Sequence, residues 1–112
     1  MDKYVIDDFY LNLPKIELHA HITGCVRKST LLDLASKYNV QNDFSCLSDG
    51  SNIDTCFQIF DLINQSLQGL EDLRRVTKEV IQDFQNDNVK YLELRTTPKQ
   101  NLAQKFQFSD HI

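Results

Sequence analysis

The sequence lacks any run approaching the ~20 consecutive apolar residues that a membrane-spanning helix needs. Its first eight residues, Met1-Asp2-Lys3-Tyr4-Val5-Ile6-Asp7-Asp8, carry acids and no apolar stretch of signal length, so a cytosolic protein is expected. It has no excess of positive charge: 12 Lys and Arg stand against 16 Asp and Glu, for a net charge of -4. That balance argues against nucleic acid or an anionic membrane as partner. Cys25, Cys46 and Cys56 form no Cys-x-x-Cys pair, so neither a zinc ribbon nor a redox motif is indicated, and three cytosolic cysteines read as free thiols. No internal repeat or low-complexity tract is present.

What remains is an ordinary globular composition. Apolar residues make up 41% and charged residues 25% of the 112 positions, enough for one domain with a buried core. Two segments alternate polar and apolar residues with the period of a strand. The first covers about 15–22, after Pro14 and before Thr23-Gly24. The second covers about 89–96, before Thr97-Pro98. Both end in turn signals.

Helical periodicity fills the interval. Ser29 or Thr30 can cap a helix over about 29–38, with Leu31, Leu32 and Ala35 on one face and Asp33 early in its first turn. The stretch 40–51 is rich in Asn, Asp, Ser and Gly and reads as loop. Asn52 or Asp54 can start a second helix over about 53–65, burying Ile53, Phe57, Phe60 and Ile63. Gln65-Ser66-Leu67-Gln68-Gly69 reads as a break. A third helix follows over about 71–86, with Glu71 and Asp72 suited to its N-terminus and Leu73, Val76, Val80 and Phe84 as its buried stripe. Asp87-Asn88 ends it. The tail 99–112 is polar with scattered Phe and receives no assigned conformation.

Strand, helices and strand in that order predict a parallel βαβ unit of an α/β protein with a right-handed crossover. The connection is far longer than a minimal crossover. Extra helices in a first βα connection can build a lid over a barrel mouth.

His19 and His21 are separated by one residue. On a strand, such side chains point to the same face, so two imidazoles converge as ligands of one metal ion. They also sit at the C-terminal end of their strand, where α/β barrels place active sites. Zinc accepts neutral imidazole nitrogen and, in catalytic sites, keeps a position open for water. The plain alternative is two surface histidines on an edge strand.

The segment Leu13-Pro14-Lys15-Ile16-Glu17-Leu18-His19-Ala20-His21-Ile22-Thr23-Gly24 resembles the opening strand of the adenosine deaminase family of metal-dependent hydrolases. Within it the similarity is to the branch that deaminates N6-methyl-AMP. Cys56-Phe57-Gln58-Ile59-Phe60, Val76-Thr77-Lys78-Glu79-Val80-Ile81 and Val89-Lys90-Tyr91-Leu92-Glu93-Leu94-Arg95-Thr96-Thr97-Pro98 match in the family's order and spacing. The resemblance implies the N-terminal part of a (β/α)₈ TIM barrel, which when complete takes ~250 residues or more. It implies one Zn²⁺ per complete active site, with His19 and His21 as its first two ligands. It also implies hydrolytic loss of the 6-amino or 6-methylamino group of a purine nucleotide, of the N6-methyl-AMP to IMP type, by a protein that is monomeric when full length.

The resemblance places His21 near the substrate as well as on the metal. Where adenosine deaminases carry a ribose-contacting Asp, and the nucleotide branch usually Asn, this chain has Thr23. Loss of the carboxylate removes a repulsive neighbour for a 5′-phosphate and favours a nucleotide over a nucleoside. Asn64, Ser66 and Gln68, in the lid segment by resemblance, are the remaining substrate-contact candidates. The start of the next helix is a candidate anion site, and a plain interhelical turn is the alternative. Phe57 and Phe60 can line a purine pocket, although core packing is the commoner use of such residues.

Arg95 is read first as structural, pairing with Glu93 or Glu17. Cys25 is discounted as a ligand and His111, beside Asp110, is expected to be solvated. The family's third His, its Asp, its acid/base Glu and its further His have no counterpart here, so no catalytic residue is assigned within this chain. An incomplete barrel, as a truncated isoform or gene-model fragment, is therefore expected. Competing readings are an adenosine deaminase acting on the nucleoside, a catalytically inactive partner-binding or poorly folding piece, and another His-x-His metallohydrolase. The match at Tyr91-Leu92-Glu93-Leu94-Arg95 argues against the last.

Overall fold

The computed structural model describes residues 3–42, 44, 47 and 53–97. Its elements run α1 (Lys3–Asn12), β1 (Lys15–His21), a 3-10 turn (Ile22–Gly24), α2 (Lys28–Lys37), α3 (Ile53–Ser66), α4 (Leu70–Asn86) and β2 (Val89–Arg95). The two strands pair in parallel, as expected of strands separated by helices. The chain is thus a partial α/β unit built on a two-stranded sheet. Most of the expected 40–51 loop, Cys46, Pro98, His111 and the 99–112 tail lie outside the described residues. Among the described residues no helix is long and apolar enough to cross a membrane.

The core lies where α2, α3 and α4 meet the end of β1. Ile22, Leu31, Leu34, Leu62, Ile63, Leu67, Val76 and Val80 form one buried cluster, and Leu94 of β2 packs against it. Full burial of such side chains is worth ~1.5–3 kcal/mol each. Val76 and Val80 hold the stripe of α4, with Leu73 and Phe84 partly buried beside them. Two expected faces are corrected. On α2, Leu34 is buried and Leu32 exposed, because the helix turns Leu31, Leu34 and Ala35 inward at i, i+3 and i+4. On α3, Ile53, Phe57 and Phe60 are exposed while Thr55, Leu62, Ile63 and Ser66 are buried. The α3 face that meets α2 and the 3-10 turn is therefore rotated away from the aromatic positions.

A polar ladder joins α2 and α4, which run antiparallel. Arg27 pairs with Asp83 at 2.7 Å and Arg75 with Asp33 at 2.9 Å. Thr30 donates to Glu79, and Lys37 pairs with Asp72 at 2.9 Å. The exposed pairs contribute ~0.2–1 kcal/mol each. Arg27 holds the Asp83 carboxyl below its ordinary value through a direct hydrogen bond. Asp72 is buried and also accepts from the Tyr38 hydroxyl and, at 3.1 Å, from the Gly69 amide. The expected cap at Ser29 or Thr30 does not form. Arg27 precedes α2 without a side-chain cap, and the Thr30 hydroxyl is committed to Glu79.

Helix α1 was not anticipated, and its residues Phe9, Tyr10 and Leu11 are all exposed. Its end is tied to the turn between α4 and β2. Asn88 Nδ2 donates to the Asn12 carbonyl at 2.6 Å, and Lys15 Nζ donates to the Asp87 carbonyl at 2.6 Å. Asn88 adopts a φ of 61°, the left-handed conformation that commonly ends helices and that Asn tolerates.

Candidate metal and substrate site

Strand β1 carries its two histidines at its C-terminal end. The Nε2 atoms of His19 and His21 lie 3.0 Å apart and the ring centroids 5.0 Å apart. Both side chains are exposed, so the rings converge over an open face of the strand. Two nitrogens on one tetrahedral zinc, at ~2.0–2.1 Å each, are separated by ~3.4 Å. The observed pair is close to that span, so the donor set fits two positions of a zinc site. Among the described residues no group of three or more His, Cys, Asp or Glu side chains could hold a metal ion.

The pair opens onto a cavity of about 580 Å³. Thr23 and Gly24 of the 3-10 turn, Asn64 and Phe60 of α3, Phe84 of α4, and Glu17, Ala20 and Cys25 complete its lining. Cys25 is half-buried, and burial first, then the charge of Glu17, raises its thiol pKa. Both causes favour the neutral thiol. A second, smaller cavity of about 200 Å³ shares Thr23, Gly24 and Phe60 with the first. Gly24 is not needed for backbone strain or crowding, since a Cβ there would meet nothing within 4 Å.

The structure gathers His19, His21, Thr23 and Asn64 around one space and leaves Ser66 and Gln68 out of it. Ser66 is fully buried, and its hydroxyl donates to the Leu62 carbonyl at 2.7 Å. Gln68 Nε2 donates to the Gln65 carbonyl at 2.7 Å. The helix start read as an anion site is already served by carboxylates: Asp72 accepts the Gly69 amide, and Glu71 joins it in the first turn of α4. A second anion would face like charge there. Phe60 proves to be a cavity residue rather than a core residue, while Phe57 is exposed and lines neither cavity. Arg95 makes no ion pair among the described residues, and Glu93 instead accepts from the Tyr91 hydroxyl at 2.8 Å. Sequence reasoning named Glu17 only as a partner for Arg95, whereas it lines the cavity with both histidines. Phe84 was likewise not read as a cavity residue; it reaches the cavity from a distant helix with no local signal.

A family model described as adenosine deaminase matches residues 14–112. The chain belongs to the adenosine deaminase family. Among its relatives, a mouse (Mus musculus) protein named N6-methyl-AMP deaminase is 45% identical over 101 residues, 86% of this chain and 28% of that protein. The Arabidopsis thaliana N6-mAMP deaminase is 40% identical over 97 residues, 80% of this chain and 27% of that protein. The chain therefore spans under a third of the length of these curated relatives. A crystal structure of the Arabidopsis N6-mAMP deaminase superposes with a TM-score of 0.81 at 36% identity, covering 93% of this chain and 33% of that one. Arabidopsis ADAL complexed with IMP gives a TM-score of 0.80 at 35% identity, with the same coverage.

Proposed function

We propose that this chain is the opening part of a (β/α)₈-barrel deaminase that uses zinc to hydrolyse the 6-amino or N6-methylamino group of a purine nucleotide, releasing an IMP-type product. The observation that carries this reading is the convergence of the His19 and His21 Nε2 atoms, 3.0 Å apart, on a cavity walled by Thr23, Asn64 and Phe60. Family membership and relatives named N6-methyl-AMP deaminase support it, as does a structural neighbour whose complex holds IMP.

In this reading His19 and His21 supply two ligands of one Zn²⁺. When bound, the ion acts as a Lewis acid that makes water a nucleophile near neutral pH. The cavity residues orient the substrate. Phe60 and Phe84 offer apolar surface to the flat purine. The Thr23 hydroxyl donates to or accepts from a sugar hydroxyl without bringing charge towards a phosphate, and the Asn64 amide offers both donor and acceptor. Ser66 acts as a helix residue and contacts no substrate. A general acid and base must come from chain that lies outside the segment shared with the relatives, so the 112-residue chain alone is expected to be catalytically silent. The cytosol is the proposed compartment.

The test is product formation by a version of this protein carrying a full-length family domain, offered N6-methyl-AMP, AMP and adenosine in parallel. Faster conversion of the methylated nucleotide is expected. Preference for adenosine would replace the nucleotide reading with a nucleoside deaminase, and absence of turnover on all three would overturn the deaminase reading. Robust turnover by the 112-residue chain would overturn its assignment as a partial site.

A further inference from the structure

Strand β1 is irregular at the point where it presents its histidines. Between Glu17 and Ala20 it advances three residues while β2 advances two, from Leu92 to Leu94. This shift at Leu18-His19 offsets an opposite one between Lys15 and Ile16, where β2 advances two residues, from Val89 to Tyr91, for one of β1. A local irregularity of this kind departs from regular pairing and can re-aim the side chains it carries. His19 lies inside this stretch, and its main-chain N–H donates to Glu17 Oε1 at 3.0 Å. The carboxylate thus turns forward along its own strand and accepts the amide of the first histidine. Glu17 is half-buried, lines the same cavity as both imidazoles and forms no ion pair among the described residues.

We propose that Glu17 is a positioning residue of the metal half-site, its carboxylate holding the irregular turn of backbone that brings His19 and His21 to a common point. This rests on the zinc reading of the two histidines. A hydrogen bond to a charged acceptor is stronger than one between neutral groups, and a backbone pinned one residue before Ala20 leaves the His19 ring little freedom to swing from its partner. A role confined to fold stability would leave zinc affinity unchanged in any variant that folds. A positioning role ties affinity to the acceptor atom.

The experiment is calorimetric titration of the 112-residue chain with Zn²⁺ alone, for wild type, Glu17→Ala, Glu17→Gln and the His19→Ala control, with circular dichroism to compare folding. Loss of a partner that orients a ligand weakens metal binding about tenfold or more, and that loss is expected for Glu17→Ala with its spectrum unchanged. Glu17→Gln keeps an Oε1 acceptor and is expected to retain most of the wild-type affinity. Equal affinity in wild type and Glu17→Ala would overturn the proposal, and so would a Glu17→Gln affinity as weak as that of Glu17→Ala. Should Glu17→Ala fail to fold, the Gln variant and the wild-type His19 amide decide: slow hydrogen exchange at that amide supports the bond, and free exchange overturns it. If His19→Ala binds zinc like wild type, the zinc reading itself fails, which is a separate result.

Discussion

The Tyr38 hydroxyl donates directly to the Asp72 carboxylate, joining the end of α2 to the first turn of α4. Lys37 and the Gly69 amide bond the same carboxylate. One buried acid thus closes the helix pair and satisfies the start of α4. Burial alone would raise the Asp72 pKa, but the bonds from Tyr38, Lys37 and Gly69 outweigh it and hold the carboxyl below its ordinary value.

That balance has a sign. A carboxyl with a lowered folded pKa contributes stability above its unfolded pKa, near ~3.9, and loses it as pH falls through the folded value. Asp72→Asn should therefore be less stable than wild type at neutral pH, by roughly 1.5–3 kcal/mol, and the gap should narrow below about pH 4. Urea midpoints from pH 7 to pH 3 measure it, and a gap independent of pH would contradict the linkage.

Leu62 is fully buried at the centre of the cluster. Leu62→Ala should cost about 2–5 kcal/mol through lost transfer energy and a residual cavity. Thermal melting of the purified chain reads this directly, and a cost under about 1 kcal/mol would mean that the core is not packed as described.

Asn64 and Ser66 sit two residues apart on α3 and should behave oppositely. In a full-length family domain, Asn64→Ala should raise KM several-fold, because Asn64 faces the cavity. Ser66→Ala should leave KM unchanged and move stability by about 1 kcal/mol or less, since it removes only a bond to the helix's own Leu62 carbonyl. A KM effect at Ser66 would place the substrate elsewhere.

Gly24→Ala separates fold from function at one atom. A Cβ there meets no protein atom within 4 Å, so the melting temperature should be unchanged. Gly24 also lines the cavity. In a full-length family domain a raised KM for N6-methyl-AMP at constant stability is expected, and wild-type KM would show that the substrate does not approach this wall.

The Cys25 thiol should react slowly with iodoacetamide at pH 8, because burial and the Glu17 charge hold its pKa above the ordinary value. Peptide mass spectrometry after timed quenching follows the rate. Alkylation as fast as that of a free cysteine in a short peptide would show that the site is more open than described.

Much of this protein was legible in its residues. Period-two alternation marked the two strands, and the Val76 and Val80 stripe marked the buried face of α4, because local backbone geometry alone sets which side chains share a side. His19 and His21 could be read as a pair for the same reason. The faces of α2 and α3 were less legible. Leu31, Leu32 and Leu34 are all apolar, as are Ile53, Phe57 and Phe60, and rotation about a helix axis is settled by what packs against it.

The sequence by itself determined the two-histidine strand and the family to which the chain belongs, since both rest on residue identity and short-range spacing. Only the tertiary structure decided what surrounds that strand. It placed Asn64, Phe60 and Phe84 on one cavity from two helices, withdrew Ser66 into the core, and filled the start of α4 with Asp72. Those are contacts between residues far apart in the chain, governed by packing and charge satisfaction rather than by any local pattern.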